Sequence, residues 1–195
     1  MDAYAYLLRI DNSQGNSCDT YGTFFDGSHP VLKDLKVHYR AEYATQDDNS
    51  ESPTGSSFDL DYYHLKFGVK YSRFSGGAGY EVLEGNSTRG FSTPLATLHK
   101  WNGWADVFLG TPNDGLEDFY LSAGIRLPYD MSLKAVFHSF EAEDTSSDYG
   151  EEYDMVASWQ IDKHFRLLAK FSEYHGNSPA YADRTKFWMQ VDFVY

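Results

Sequence analysis

The chain has 195 residues, room for one domain, with 42% apolar and 17% aromatic residues, a formal net charge of −13 and a negative mean hydropathy. It lacks any run of about 18 apolar residues, which excludes a transmembrane helix, and its acidity argues against nucleic acid as a partner. The single cysteine, Cys18, excludes an internal disulfide and a four-cysteine metal site, and no cofactor is expected.

Ten segments alternate with the period of two that gives a strand one apolar and one polar face. The first, Ala3 to Ile10, sets Tyr4, Tyr6, Leu8 and Ile10 against Ala5, Leu7 and Arg9; the second, Thr20 to Asp26, is weakly patterned. The third sets Leu35, Val37, Tyr39, Ala41 and Tyr43 against Lys36, His38, Arg40 and Glu42. The fourth sets Tyr63, Leu65, Phe67, Val69 and Tyr71 against His64, Lys66, Gly68 and Lys70. The fifth is short, Ala78 to Val82, with Glu81 on its polar face. The sixth, Asp118 to Leu127, has Phe119, Leu121, Ala123 and Ile125 on one side and Asp118, Tyr120, Ser122 and Arg126 on the other. The seventh runs from Leu133 to His138 with Lys134 on the wet side, and the eighth from Glu152 to Ile161 with Glu152 and Asp154 there. The ninth, Phe165 to Ser172, carries Arg166 and Lys170 on its wet face. The tenth sets Phe187, Met189, Val191, Phe193 and Tyr195 against Lys186, Trp188, Gln190 and Asp192.

Beyond the weak second segment, no apolar face in this series carries a charge, and Tyr, Phe or Trp often sits at its end (Tyr43, Tyr63, Tyr71, Phe119, Trp159, Phe187, Tyr195). That is the pattern of a transmembrane β-barrel with aromatic belts at the two interfaces. The connections sort the same way. The joins at 27–34, 72–77, 127–132 and 161–164 are short; those at 11–19, 46–60, 84–116, 141–151 and 175–184 alternate with them and most are longer. With the C-terminus in the periplasm, short turns fall below and long loops outside. A soluble β-sandwich also alternates but has no reason to sort its loops by end.

The expected fold is therefore all-β: an antiparallel transmembrane barrel in the outer membrane of a Gram-negative bacterium, with about ten strands in this chain. Met1 leads at once into the first strand, without a basic n-region or cleavage site, so the chain reads as the C-terminal piece of a longer exported protein. Within the long loop 84–116 the segment 89–110 resists a strand reading: Phe91, Leu95, Leu98, Trp101, Trp104, Val107 and Phe108 are too apolar for a free loop. It is expected to fold into or over the pore mouth and to place His99, Lys100, Trp101, Trp104 and Asp106 near the permeation path.

Charge is unevenly placed. The outer loops at 46–60 and 141–151 are acidic and contain no base, as solvated loops that could bridge through divalent cations to lipopolysaccharide. Eleven bases fall on wet faces: Arg9, Lys36, Arg40, Lys66, Lys70, Arg126, Lys134, Arg166, Lys170, Arg184 and Lys186. Six clear acids oppose them: Glu42, Glu81, Asp118, Glu152, Asp154 and Asp192. Excess base in a low-dielectric lumen focuses a positive potential and favours anions; the alternative is that the bases pair with the acids and merely keep the lumen wet.

The stretch Ala78-Gly79-Tyr80-Glu81-Val82-Leu83-Glu84-Gly85, the run from Phe91 to Phe108 around Trp101-Asn102-Gly103-Trp104-Ala105-Asp106, the segment Gly115 to Gly124 and the terminal Thr185-Lys186-Phe187-Trp188 resemble the alginate export family of outer-membrane porins. The resemblance implies the C-terminal part of a larger barrel of roughly eighteen strands, within the range such barrels span, and a passive, anion-selective channel. The resulting expectation is a porin for anionic or sugar-like solutes, extending to uronate polysaccharide such as alginate, that meets lipid, lipopolysaccharide and, through its last strand, the barrel assembly machinery.

Two other readings remain at this stage. The chain could be an incomplete barrel with no transport function of its own, because an unclosed sheet leaves its edge backbone unpaired in lipid. It could also be a barrel-embedded hydrolase, but its seven histidines accompany no recognisable catalytic spacing, so no catalytic residue and no metal site is assigned.

Overall fold

The structure, a computed structural model, describes residues 1–11, 17–48, 57–95 and 102–195. Its strands are β1 (Asp2–Leu8), β2 (Cys18–Leu32), β3 (Leu35–Asp48), β4 (Asp59–Tyr71), β5 (Phe74–Leu83), β6 (Leu116–Leu127), β7 (Met131–Glu141), β8 (Asp148–Gln160), β9 (Phe165–Gly176) and β10 (Arg184–Phe193). Each pairs antiparallel with its neighbours in chain order, giving one ten-stranded meander with β1 and β10 at its edges. No helix occurs among the described residues.

Connections segregate by end. On one side the chain reverses in very few residues, at 33–34, 72–73, 128–130 and 161–164. Ser72 (φ 51°) and the pair Tyr129 and Asp130 (φ 62° and 56°) take the left-handed conformation that tight hairpins need. In the last turn one oxygen of Asp162 accepts from the backbone N–H groups of His164 (2.7 Å) and Phe165 (2.9 Å). At the other end lie the longer connections, of which 84–115 is the longest.

Several strands run further than alternation alone implies. β2 continues through Gly27, Ser28 and Pro30 to Leu32, and β5 begins at Phe74 rather than Ala78. Glycine, serine and proline blur a hydrophobicity pattern, yet the ladder passes through them. Pro30 sits where β2 has only β3 as partner, since β1 pairs no further than Phe24, and the register slips beside it. Three of the four turns are shorter than expected, at 33–34, 72–73 and 128–130, and the fourth, 161–164, is as expected.

We call the face on which the 84–115 loop packs the inner face. The outer face is apolar and bare: Leu65, Phe67, Phe74, Leu121, Leu133, Met155, Phe187, Met189 and Val191 are all exposed. Toward the loop end this band stops at tyrosines whose hydroxyls reach past it. Tyr43 and Tyr63 both donate to Asp61 (2.9 Å each), Tyr80 to Glu117 (2.5 Å) and Tyr153 to Glu151 (3.1 Å). An apolar ring with a polar tip suits the boundary between hydrocarbon and water. The core lies on the inner face, where Phe91, Ala105 and Phe108 of the long loop join Leu60, Leu83, Leu116, Phe140, Tyr149 and Tyr174 of the wall.

One strand faces opposite to the expected way. In β1 it is Tyr4, Tyr6 and Leu8 that point inward, and Ala5 and Leu7 outward: Tyr4 pairs with Gly22 and Tyr6 with Thr20, and the Tyr4 hydroxyl donates to inner-face Glu42 at 3.0 Å. Arg9 therefore does not join the inner face. It lies past the end of β1 and is ion-paired at 2.5 Å with Asp19, the register partner of outward Leu7. Both faces of this strand are apolar in composition, so tyrosine hydroxyls decide which turns inward.

Candidate functional site

The connection 84–115 does not stand away from the sheet. It turns back along the inner face and is held there at successive points. Near its start the fully buried Gln46 of β3 clasps Ser92: the Ser92 N–H donates to Oε1 (2.8 Å) and Nε2 donates to the Ser92 carbonyl (2.9 Å). Further on, Asn102 donates to Glu81 of β5 (3.1 Å), and the N–H groups of Trp104 and Ala105 donate to Asp154 (3.2 Å) and Glu152 (2.7 Å) of β8. At the far side Arg184 of β10 donates to the carbonyls of Ala105 (3.2 Å) and Asp106 (2.5 Å), while Lys186 pairs with the Asp106 carboxylate at 2.5 Å. The loop so crosses from β3 to β10.

Its return leg is fixed by rings. Phe108 sits among Phe140 (4.7 Å between centroids), Tyr181 (5.0 Å), Tyr149 (5.7 Å) and Tyr174 (6.0 Å). Gly103 is required by its surroundings: it has φ +84°, and a Cβ there would lie 2.5 Å from Oε2 of Glu152.

The charged inner residues divide into two tiers. Glu42, Glu81, Asp118, Glu152 and Asp154 occupy the loop-side part of the wall. Each is engaged: Glu42 by Tyr4 and Arg40, Glu81 by Tyr62 and Asn102, Asp118 by His138 at 2.8 Å, Glu152 by Ser172 and Ala105, and Asp154 by Trp104. One oxygen each of the buried Glu152 and Asp154 has no hydrogen-bond partner among the described residues. Below, toward the short turns, lie Lys36, Lys66, Lys70 and Lys134, all exposed. Lys36 and Lys70 face each other across β3 and β4, as do Arg40 and Lys66. These four lysines form no ion pair among the described residues. A lysine row opposite itself costs repulsion unless water or anions screen it.

The remaining candidates are placed as follows. Arg126 donates to the Ser72 carbonyl at the turn (2.8 Å). Arg166 and Asp192 are register partners across β9 and β10 on the inner face, near the turn end. The Lys170 ammonium lies 5.2 Å from the Trp104 ring, which brings Trp104 and Asp106 to the β9–β10 side of the inner face. His99, Lys100 and Trp101 lie outside the described residues. Sequence reasoning did not single out Gln46, Asn102 or Ser172. None of the three had a local signal; Gln46 stands between Thr45 and Asp47 at the polar end of β3.

Sheet, sorted loops, bare apolar outer face and inward-folded loop define the wall of an antiparallel β-barrel with a porin-like fold. Solved structures that share it include the Acinetobacter baumannii porins OccAB3 (13% identity, TM-score 0.66, covering 90% of this chain and 48% of that one) and OccAB4 (14% identity, TM-score 0.65, 90% and 46%). The chain spans about half the length of these structures. No family model and no curated protein matches it.

Proposed function

We propose that the chain forms wall and constriction of a passive outer-membrane channel for anionic or sugar-like solutes, a range that extends to uronate polysaccharides such as alginate. It is a pore and not an enzyme, and it sits in the outer membrane of a Gram-negative bacterium among lipid and lipopolysaccharide. The observation that carries the reading is the separation of charge on the inner face. Glu81, Glu152 and Asp154 hold the loop and Glu42 and Asp118 pair with Arg40 and His138, while Lys36, Lys66, Lys70 and Lys134 are left exposed below. Bases that do not pair with neighbouring acids are free to attract a passing anion, and low-dielectric walls strengthen that attraction. Arg40, Arg126, Arg166, Lys170, Arg184 and Lys186 complete the basic lining, with Asp192 as the acid nearest the turn end. Planar-bilayer recording of the reconstituted protein tests the reading. Anion-selective reversal potentials support it; cation selectivity, or no conductance, overturns it.

A further inference from the structure

A partly open chamber of about 330 Å³ lies between β1–β5 and the loop residues Phe91–Leu95 and Asn102. That is the lower end of the range for small-molecule sites, about 300–1,000 Å³. We infer that this chamber is a binding subsite for one neutral pyranose ring, taken with its apolar face on the aromatic wall. The inference deepens the proposed channel function by naming a solute class and the place where it pauses.

Three features of the chamber set the chemistry. Its wall is aromatic: Tyr4 and Tyr6 are 5.1 Å apart at a tilt, and Tyr62 and Phe91 are 5.6 Å apart. Such rings accept the C–H face of a sugar at little cost in conformational freedom. Its polar groups are planar and fixed. Arg40 is held by Glu42 (2.6 Å) and lies over the Phe24 ring (4.4 Å), and Glu81 receives Tyr62 and Asn102. A carboxylate oxygen holding one donor still has room for a second, so Glu42 and Glu81 can accept sugar hydroxyls, as can the Asn102 carbonyl. The Tyr6 hydroxyl, which has no hydrogen bond among the described residues, can donate.

The third feature is charge. Arg40 and Glu42 cancel, and Glu81 is buried among neutral donors. An anion entering here meets two carboxylates against one guanidinium and is repelled, while a neutral polyol meets no such penalty. The lysine tier lies outside the chamber, since none of Lys36, Lys66, Lys70 and Lys134 lines it. Ring recognition and anion attraction are thus separate in space.

Saturation-transfer NMR on the detergent-solubilised protein, with methyl α-glucoside, glucuronate and glucosamine as probes, tests this without requiring conduction. Transfer to the ring C–H protons of methyl α-glucoside is expected, with weaker transfer to glucuronate. Tyr6→Ala should weaken it about fivefold, the scale of one aromatic contact; Asn102→Ala should weaken it as well, by removing one polar contact of the chamber. Variants are compared only where heat-modified mobility on gels shows a folded sheet, and Tyr6→Phe, which keeps the ring, should retain most of the signal. Equal transfer in Tyr6→Ala and the parent, no transfer at all, or preference for a charged sugar overturns the subsite. Loss of anion selectivity alone would overturn the pore reading and leave the subsite standing.

Discussion

Lys186 on the last strand and Asp106 in the β5–β6 loop form an ion pair of 2.5 Å across a sequence separation of 80 residues, with both side chains largely shielded from water. It joins the tip of the inward-folded loop to the far side of the wall. Partly buried, charge-assisted contacts of this kind are stronger than exposed ones. Lys186→Met should release the tip at a cost of about 1 kcal/mol, leaving the backbone contacts of Arg184 in place. Single-channel records should show more open-state noise and a higher mean conductance, and unchanged traces would mean that the pair does not hold the loop.

The exposed lysine tier makes a separate prediction. Lys66→Glu and Lys134→Glu should each reduce the anion-over-cation permeability ratio about twofold or more, because the lumen dielectric screens them incompletely. Reversal potentials under a salt gradient measure this. Lys33→Glu, in the β2–β3 turn, is the control and should change the ratio less.

Gly79 supports the inner face in another way. A Cβ there would lie 2.1 Å from Cζ of Tyr120, whose hydroxyl bonds His64 at 2.9 Å. Gly79→Ala should push that ring off its seat and destabilise the sheet by about 1–3 kcal/mol, read as a lower temperature for heat-modified mobility on gels.

On the outer face, Phe67 lies in the middle of β4 and is exposed. Phe67→Arg should cost about 2–4 kcal/mol in lipid and reduce insertion into vesicles. In detergent, where a headgroup layer is close at hand, the defect should be smaller.

Acidity acts at the two ends with opposite sign. Burial pushes the Glu143 carboxyl, in the β7–β8 loop, above its ordinary value of 4.5 against the opposing Gly85 N–H, and Glu84 and Asp144 add to the rise. Its contribution to stability is fully present below 4.5 and is lost as pH rises through the raised value. In the β8–β9 turn, the N–H of His164 and then that of Phe165 hold Asp162 below its ordinary 3.8. Its contribution is present above 3.8 and is lost as pH falls through the lowered value. Thermal midpoints followed from pH 3 to 7, ~1 unit apart, should show the first slope vanish in Glu143→Gln and the second in Asp162→Ala.

The sequence made the outer face easy to read, because lipid admits only apolar side chains there and leaves a clean period of two from Leu35 to Phe193. In β1 the same rule failed. Tyrosine serves on either side of a barrel wall, and only Glu42, arriving from β3, shows which way Tyr4 points. The two charge tiers were legible in principle: Glu81 and Asp118 lie toward the long-loop ends of their strands, Lys36 and Lys70 toward the turns. Weighing position along the strand, and not only face, would have found them. The contacts of Ser92, Asn102 and Ala105 had no local signal, since each joins residues 20 or more positions apart.

The chain-order pairing has a consequence for how the wall is assembled. Every strand meets only its sequence neighbours, so hairpins can be added one after another, each on the template of the one before. The 84–115 connection is different: its anchors lie on β3, β5, β8 and β10. Half of them do not exist until strands later in the chain have been laid down. The element that covers the inner face is therefore the last to settle, and a wall still being extended has a bare inner face.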